Sequence, residues 1–142
     1  MDTGKILLSG VIVWITSAAF GWLTCGWLFN WVYQIPPTNI WAAPETMMGN
    51  MPWINLIGFI AAIIFAGVYA YLYETFPGEG ARKGIRYGFI VWLVGALSGM
   101  AIMPFYTTIA ATVVIYWIIN ALVIKLINGA VVGIVYKPKM KE

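Results

Sequence analysis

A chain of 142 residues has room for one domain, and 62% of its residues are hydrophobic while only 9% are charged. Ordinary globular domains run at roughly 45–50% and about 25%. Eight basic and five acidic residues give a net charge of +3 and leave uncharged runs from Ile6 to Pro44, Thr46 to Tyr73 and Tyr87 to Ile124, each longer than the ~20 apolar residues that cross a bilayer. A soluble enzyme, a nucleic-acid binder and a disordered tail are excluded together, which leaves a small polytopic membrane protein.

The first predicted element runs from Ile6 to Tyr33. Lys5 ahead of an apolar run, with Ser17, Ala18 and Ala19 after it, imitates a secretory signal. The run then continues uncharged to Tyr33, too long for a signal's apolar core, so a retained first span is expected. Cys25 is not read as a lipoprotein cysteine, because bulky Trp22 stands where such signals carry Leu.

Residues Gln34 to Pro52 form the one sizeable loop, on the outer side. Pro44 at a helix start, Glu45 behind it and Gly49 further on predict one or two short helical turns, resting on the membrane interface with Trp41 and Trp53. The second span is Trp53 to Tyr73. In the loop that follows, Glu74 to Arg86, Gly78, Gly80 and Gly84 lack the Lys-Ser/Thr ending of a phosphate-binding loop and are read as turn residues. The third span is Gly84 to Met103 and the fourth Thr108 to Tyr136, joined by Pro104 to Thr107. All four are expected to be helices, since lipid offers no partner to an unpaired backbone group. Tyr71, Tyr73, Tyr87 and Tyr136 at one boundary, and Trp27, Trp31, Tyr33, Trp41, Trp53 and Tyr106 at the other, read as aromatic belts.

Orientation follows from charge. Lys5, Arg82, Lys83, Arg86, Lys137, Lys139 and Lys141 fall on the termini and the central loop, whereas the other two loops hold no Lys or Arg. The excess predicts a multi-pass protein of the cell (inner) membrane with both termini cytoplasmic.

Two halves of the chain resemble each other. Shifting the sequence by 78 residues aligns Lys5 to Trp22 with Lys83 to Met100 and matches seven of 18 positions, among them Gly10/Gly88, Ile12/Ile90, Val13/Val91 and Trp14/Trp92. A shift of 63 relates the second and fourth spans more weakly. The expected fold is therefore all-α, a tandem parallel repeat of two helical hairpins about an axis along the membrane normal. Small residues mark the expected helix contacts: Ser17 and Gly21 in the first span, Gly58, Ala62, Ala66 and Ala70 in the second, Gly95 and Gly99 in the third, Gly129 and Gly133 in the fourth.

Lys125 is the one charge inside a span. It precedes Lys137 by 12 residues, roughly 18 Å of helix, and such a residue costs about 2.5–3.5 kcal/mol on insertion scales, so it marks a functional candidate by default. Asn120 and Asn128 flank it, and three arrangements would satisfy it: snorkelling or neutralisation beside these amides, an acidic group on another subunit, or an anionic ligand in a watery path. Met47, Met48, Met51, Met100 and Met103 gather toward the outer side with Cys25, a soft set that suits Cu(I) but equally suits adaptable apolar contacts.

The chain has no His and a single Cys, which removes the commonest proton shuttle and metal ligand. No catalysis, resident metal or cofactor is predicted. The leading functional reading is a non-catalytic accessory or assembly subunit, with membrane lipids and other integral membrane subunits as partners. A small homo-oligomeric transporter or channel, with copper as one cargo, is the alternative. A lipid- or quinone-binding protein is the third.

Overall fold

The computed structural model describes residues 2–137; Lys139 and Lys141, used above for orientation, lie outside them. Among the described residues there is no strand, and four helices are long and apolar enough to cross a membrane: α1 (Thr3–Leu28), α2 (Pro44–Tyr71), α3 (Gly80–Phe105) and α4 (Ala111–Val135).

Local chemistry sets the helix ends. The Asp2 carboxylate caps α1 by accepting from the Lys5 amide at 3.3 Å, satisfying an N–H that has no partner within the helix. The last turns of α1, Trp22–Leu28, are π-helical and close with the Phe29 N–H on the Thr24 carbonyl at 2.9 Å. A second π-helical stretch, Trp92–Leu97, interrupts α3. Gly78 (φ 98°) and Gly80 (φ 52°) make the turn into α3 in left-handed conformations, which glycine adopts without a Cβ clash.

Three expectations change. The outer loop is shorter than read, because α2 begins at Pro44 and continues through Pro52 as one helix of 28 residues. Pro52 loses its own N–H bond and its ring crowds the Met48 carbonyl, yet Pro44 in the first turn and Glu45 beside the positive end of the helix dipole both favour starting there. Gly84 is not a turn residue but lies inside α3. The tyrosines expected as a belt divide: Tyr71 is exposed, whereas Tyr87 and Tyr136 are buried in the core.

In space α1 packs against α2 and α4, and α3 packs against α4. The core lies toward the end that carries Lys5, Arg86 and Lys137, where Ile6, Val13, Phe65, Ala66, Tyr69, Tyr87, Val132 and Tyr136 meet. Tyr69 is the hub, with its ring 5.7 Å from Tyr73, 5.2 Å from Tyr87 and 6.1 Å from Tyr136. The Tyr87 hydroxyl donates to the Phe65 carbonyl at 2.8 Å and so ties α3 to α2.

The closest backbone approach is between α3 and α4. A Cβ on Gly84 would collide with the Gly129 carbonyl oxygen, one on Gly88 with the Lys125 carbonyl oxygen, and one on Gly133 would lie 3.0 Å from the Gly84 Cα. Between α1 and α2 the equivalent approach is at Gly10, whose Cβ would lie 2.9 Å from the Ile63 Cα. At the opposite end the helices are less covered: residues 42–57 are all exposed, as are Val94, Phe105 and Tyr106.

Candidate functional site

A row of polar side chains meets along the seam between α1 and α4. Asn128, only 3% exposed, donates its amide to the Ser17 hydroxyl at 2.8 Å. Eight residues further along α1, and eight back along α4, the Asn120 amide reaches the Cys25 sulfur at 3.8 Å. The Tyr116 hydroxyl lies 3.6 Å and the Thr24 hydroxyl 3.7 Å from the same sulfur. At the end of the seam the Trp117 indole N–H donates to the Tyr33 hydroxyl at 3.2 Å, and the Trp41 indole N–H donates to the Tyr33 carbonyl at 3.1 Å. At the other end the Lys5 ammonium donates to the Lys137 carbonyl.

The π-helical turn explains how α1 keeps this face. An i→i+5 turn is wider, so the chain advances through less angle per residue than in an α-helix. That geometry brings Cys25 round toward α4 below Ser17, where a regular helix would carry it further off the face. Thr24 adds to the local distortion by donating its hydroxyl to the Phe20 carbonyl at 2.8 Å, a back-bond that bends helices.

Two buried polar atoms, the Asn128 Oδ1 and the Tyr69 hydroxyl, have no hydrogen-bond partner among the described residues. The amide oxygen can accept two hydrogen bonds, and the hydroxyl can both donate and accept. Lys125 faces elsewhere: its ammonium lies 5.3 Å from the centroid of the Phe65 ring on α2, within cation–π range. The structure thus brings Asn120 and Asn128 together on the α1 seam and sets Lys125 apart from them; among the described residues neither asparagine bonds it.

The small residues divide as well. Ala62, Ala66 and Ala70 are buried on α2, and Gly129 and Gly133 meet α3. A Cβ on Gly58 would touch the Trp14 ring at 3.7 Å, an ordinary contact. Gly21, Gly95 and Gly99 instead face open space, with nothing within 4 Å of a Cβ built on them. Met47, Met48 and Met51 are exposed on the first turns of α2, and Met100 and Met103 are half-buried on α3. Among the described residues no group of three His, Cys, Asp or Glu side chains is placed to hold a metal.

Gly84, Gly88, Thr24, Tyr116 and Trp117 were missed in the sequence reading. A signal existed for the first two, since Gly80, Gly84 and Gly88 recur every four residues. One existed for the seam too: Ser9, Ser17 and Cys25 on α1 and Tyr33 just after it recur every eight, as Asn120 and Asn128 do on α4.

What the seam can do chemically is hold two antiparallel helices in one register. Interhelical hydrogen bonds in a membrane are worth about 0.6 kcal/mol each on average, and their value for specificity comes from position. Compared with family models, curated proteins and solved structures, the chain matches none.

Proposed function

We propose that this protein is a non-catalytic integral membrane subunit that supports or assembles a larger membrane complex. In this reading two hairpins of like orientation repeat in tandem, with both termini and the Glu74–Arg86 loop on the cytoplasmic side of the cell membrane. Gly10 and Gly88, matched by the 78-residue shift, each press on the backbone of the following helix, which supports the repeat. Lys5, Arg82, Lys83, Arg86 and Lys137 stand at one end of the bundle, which supports the orientation.

One observation carries the subunit reading. The bundle is closed tightly at its basic end by glycine contacts, yet residues 42–57 are exposed throughout and a Cβ on Gly95 or Gly99 of α3 would meet nothing within 4 Å. Small residues that permit backbone approach, left unused within the chain, suit the seating of another helix. The partners are other integral membrane chains and the surrounding lipid; no nucleic acid, metal or cofactor enters the proposal. Extraction from the native membrane in mild detergent, followed by mass spectrometry of the intact assembly, should give this chain in fixed ratio with unlike chains. Recovery as a pure homo-oligomer would count against it.

The polar seam favours a second reading, a homo-oligomeric transporter or channel, because hydrogen-bonding side chains line α1 and α4 over much of their length. Solute flux through liposomes holding the purified chain alone would establish that reading, and the absence of partners in the extraction would accompany it.

A further inference from the structure

An apolar groove of about 560 Å³ opens on the side of α3, lined by Phe76, Ile85, Arg86, Phe89, Ile90 and Leu126. Its size falls within the roughly 300–1,000 Å³ of small-ligand pockets. The lining is aliphatic and aromatic, and Arg86 contributes its methylene stem to it. The Arg86 guanidinium reaches back to the loop and donates from Nη1 to the Pro77 carbonyl at 2.6 Å. Gly78 makes the turn beside it in a left-handed conformation, φ 98°.

One of the five N–H donors of the guanidinium is used in this bond, and Arg86 is exposed, so the fork remains open to an oxyanion. Ile85, Phe89 and Ile90 below it are also exposed. A positive fork at the level of the α2–α3 loop beside a strip of hydrocarbon on an apolar helix is complementary to an amphiphile with an oxyanion at one end and an acyl chain at the other, of which phospholipid is the membrane's own. We propose that this groove is a binding site for one anionic phospholipid of the leaflet that meets the basic end, its phosphate on Arg86 and an acyl chain along Ile85, Phe89, Ile90 and Leu126. The site rests on the four helices crossing a membrane and is independent of the subunit reading.

The rest of the basic end attracts anionic lipid only through its field, without geometry. Of the neighbouring cations, Lys83 is 7% exposed and lies with its ammonium 3.6 Å over the Tyr73 ring, so it points into the bundle, while Arg82, exposed one helical turn before Arg86, shares its face. The turn that holds Arg82 and Arg86 is therefore separable from the other cations of the basic end.

The test is native mass spectrometry of the full chain released from nanodiscs of equal phosphatidylglycerol and phosphatidylcholine. One phosphatidylglycerol should be retained with a preference of about fivefold, the factor one cation at a membrane surface supplies. Arg86→Gln should reduce the preference to near unity. Lys137→Gln, an equal loss of charge away from the groove, should leave it unchanged, and Arg86→Lys should keep it in part. Ile90→Trp, which fills the groove while retaining the charge, should also lose the bound lipid, so the test survives if Arg86→Gln fails to fold. Equal loss in Arg86→Gln and Lys137→Gln overturns the proposal in favour of a diffuse field. Retention in Ile90→Trp, protection by inorganic phosphate alone, or release of a protein chain instead of lipid in Arg86→Gln overturns it too.

Discussion

The Asn128 amide donates to the Ser17 hydroxyl at 2.8 Å, joining two residues 111 apart in sequence and locking α4 to α1. Asn120 and Cys25 repeat the relationship eight residues along both helices, so the two contacts fix a single register. In hydrocarbon a slipped register would leave these groups without partners, which is costlier than in water.

A double-mutant cycle on Ser17→Ala and Asn128→Leu checks this. Their coupling in a detergent unfolding assay should be about 0.6 kcal/mol and no more than about 1.7 kcal/mol, the range of measured interhelical bonds in membranes. Asn128→Leu also removes the unpartnered Oδ1, so the single variant should cost less than the coupling alone implies. Zero coupling would mean that the register is set by packing only.

Glycines on the two sides of the bundle should behave oppositely. Gly129→Ala places a methyl against the Gly84 backbone and should cost about 1–3 kcal/mol, as overpacking does. Gly99→Ala meets open space and should change folding by no more than about 0.5 kcal/mol, while weakening retention of unlike chains after mild extraction. Thermal melting in detergent reads the first effect, and intact-complex mass spectrometry the second.

Replacing Lys125 separates folding from function. The ring of Phe65 offers its ammonium about 0.5–1 kcal/mol, against about 2.5–3.5 kcal/mol for placing the charge in a span. Lys125→Met should therefore melt no lower than the parent protein, yet lose a partner or solute flux in the native membrane. Full retention of both would remove Lys125 from any functional account.

At the core, Tyr87→Phe removes the hydroxyl that bonds the Phe65 carbonyl. The cost should be about 1 kcal/mol, with hydrogen exchange rising locally at the basic ends of α2 and α3. An equal rise along the length of α2 would show that the bond supports the whole helix and not one end.

Sequence alone determined the class, the number of spans and the uneven distribution of charge, because hydrocarbon imposes those constraints residue by residue: apolar length, internal hydrogen bonding and the avoidance of ions. It also singled out Lys125 and marked Ala62, Ala66, Ala70, Gly129 and Gly133 as small positions suited to contact. It did not decide which small residues face a helix. Gly129 and Gly99 look alike in sequence, yet one is pressed on Gly84 and the other meets nothing, since a helix face gains a neighbour only through the crossing of two axes. The α1 seam was legible only as an eight-residue recurrence of polar residues, because π-helical turns change the angle between successive residues and decide which of them face α4. Nor could charge counting show that Asn120 and Asn128 turn toward α1 while Lys125, between them in the chain, turns toward Phe65. Those choices belong to the tertiary structure, where each side chain is assigned the neighbour that gives it functional meaning.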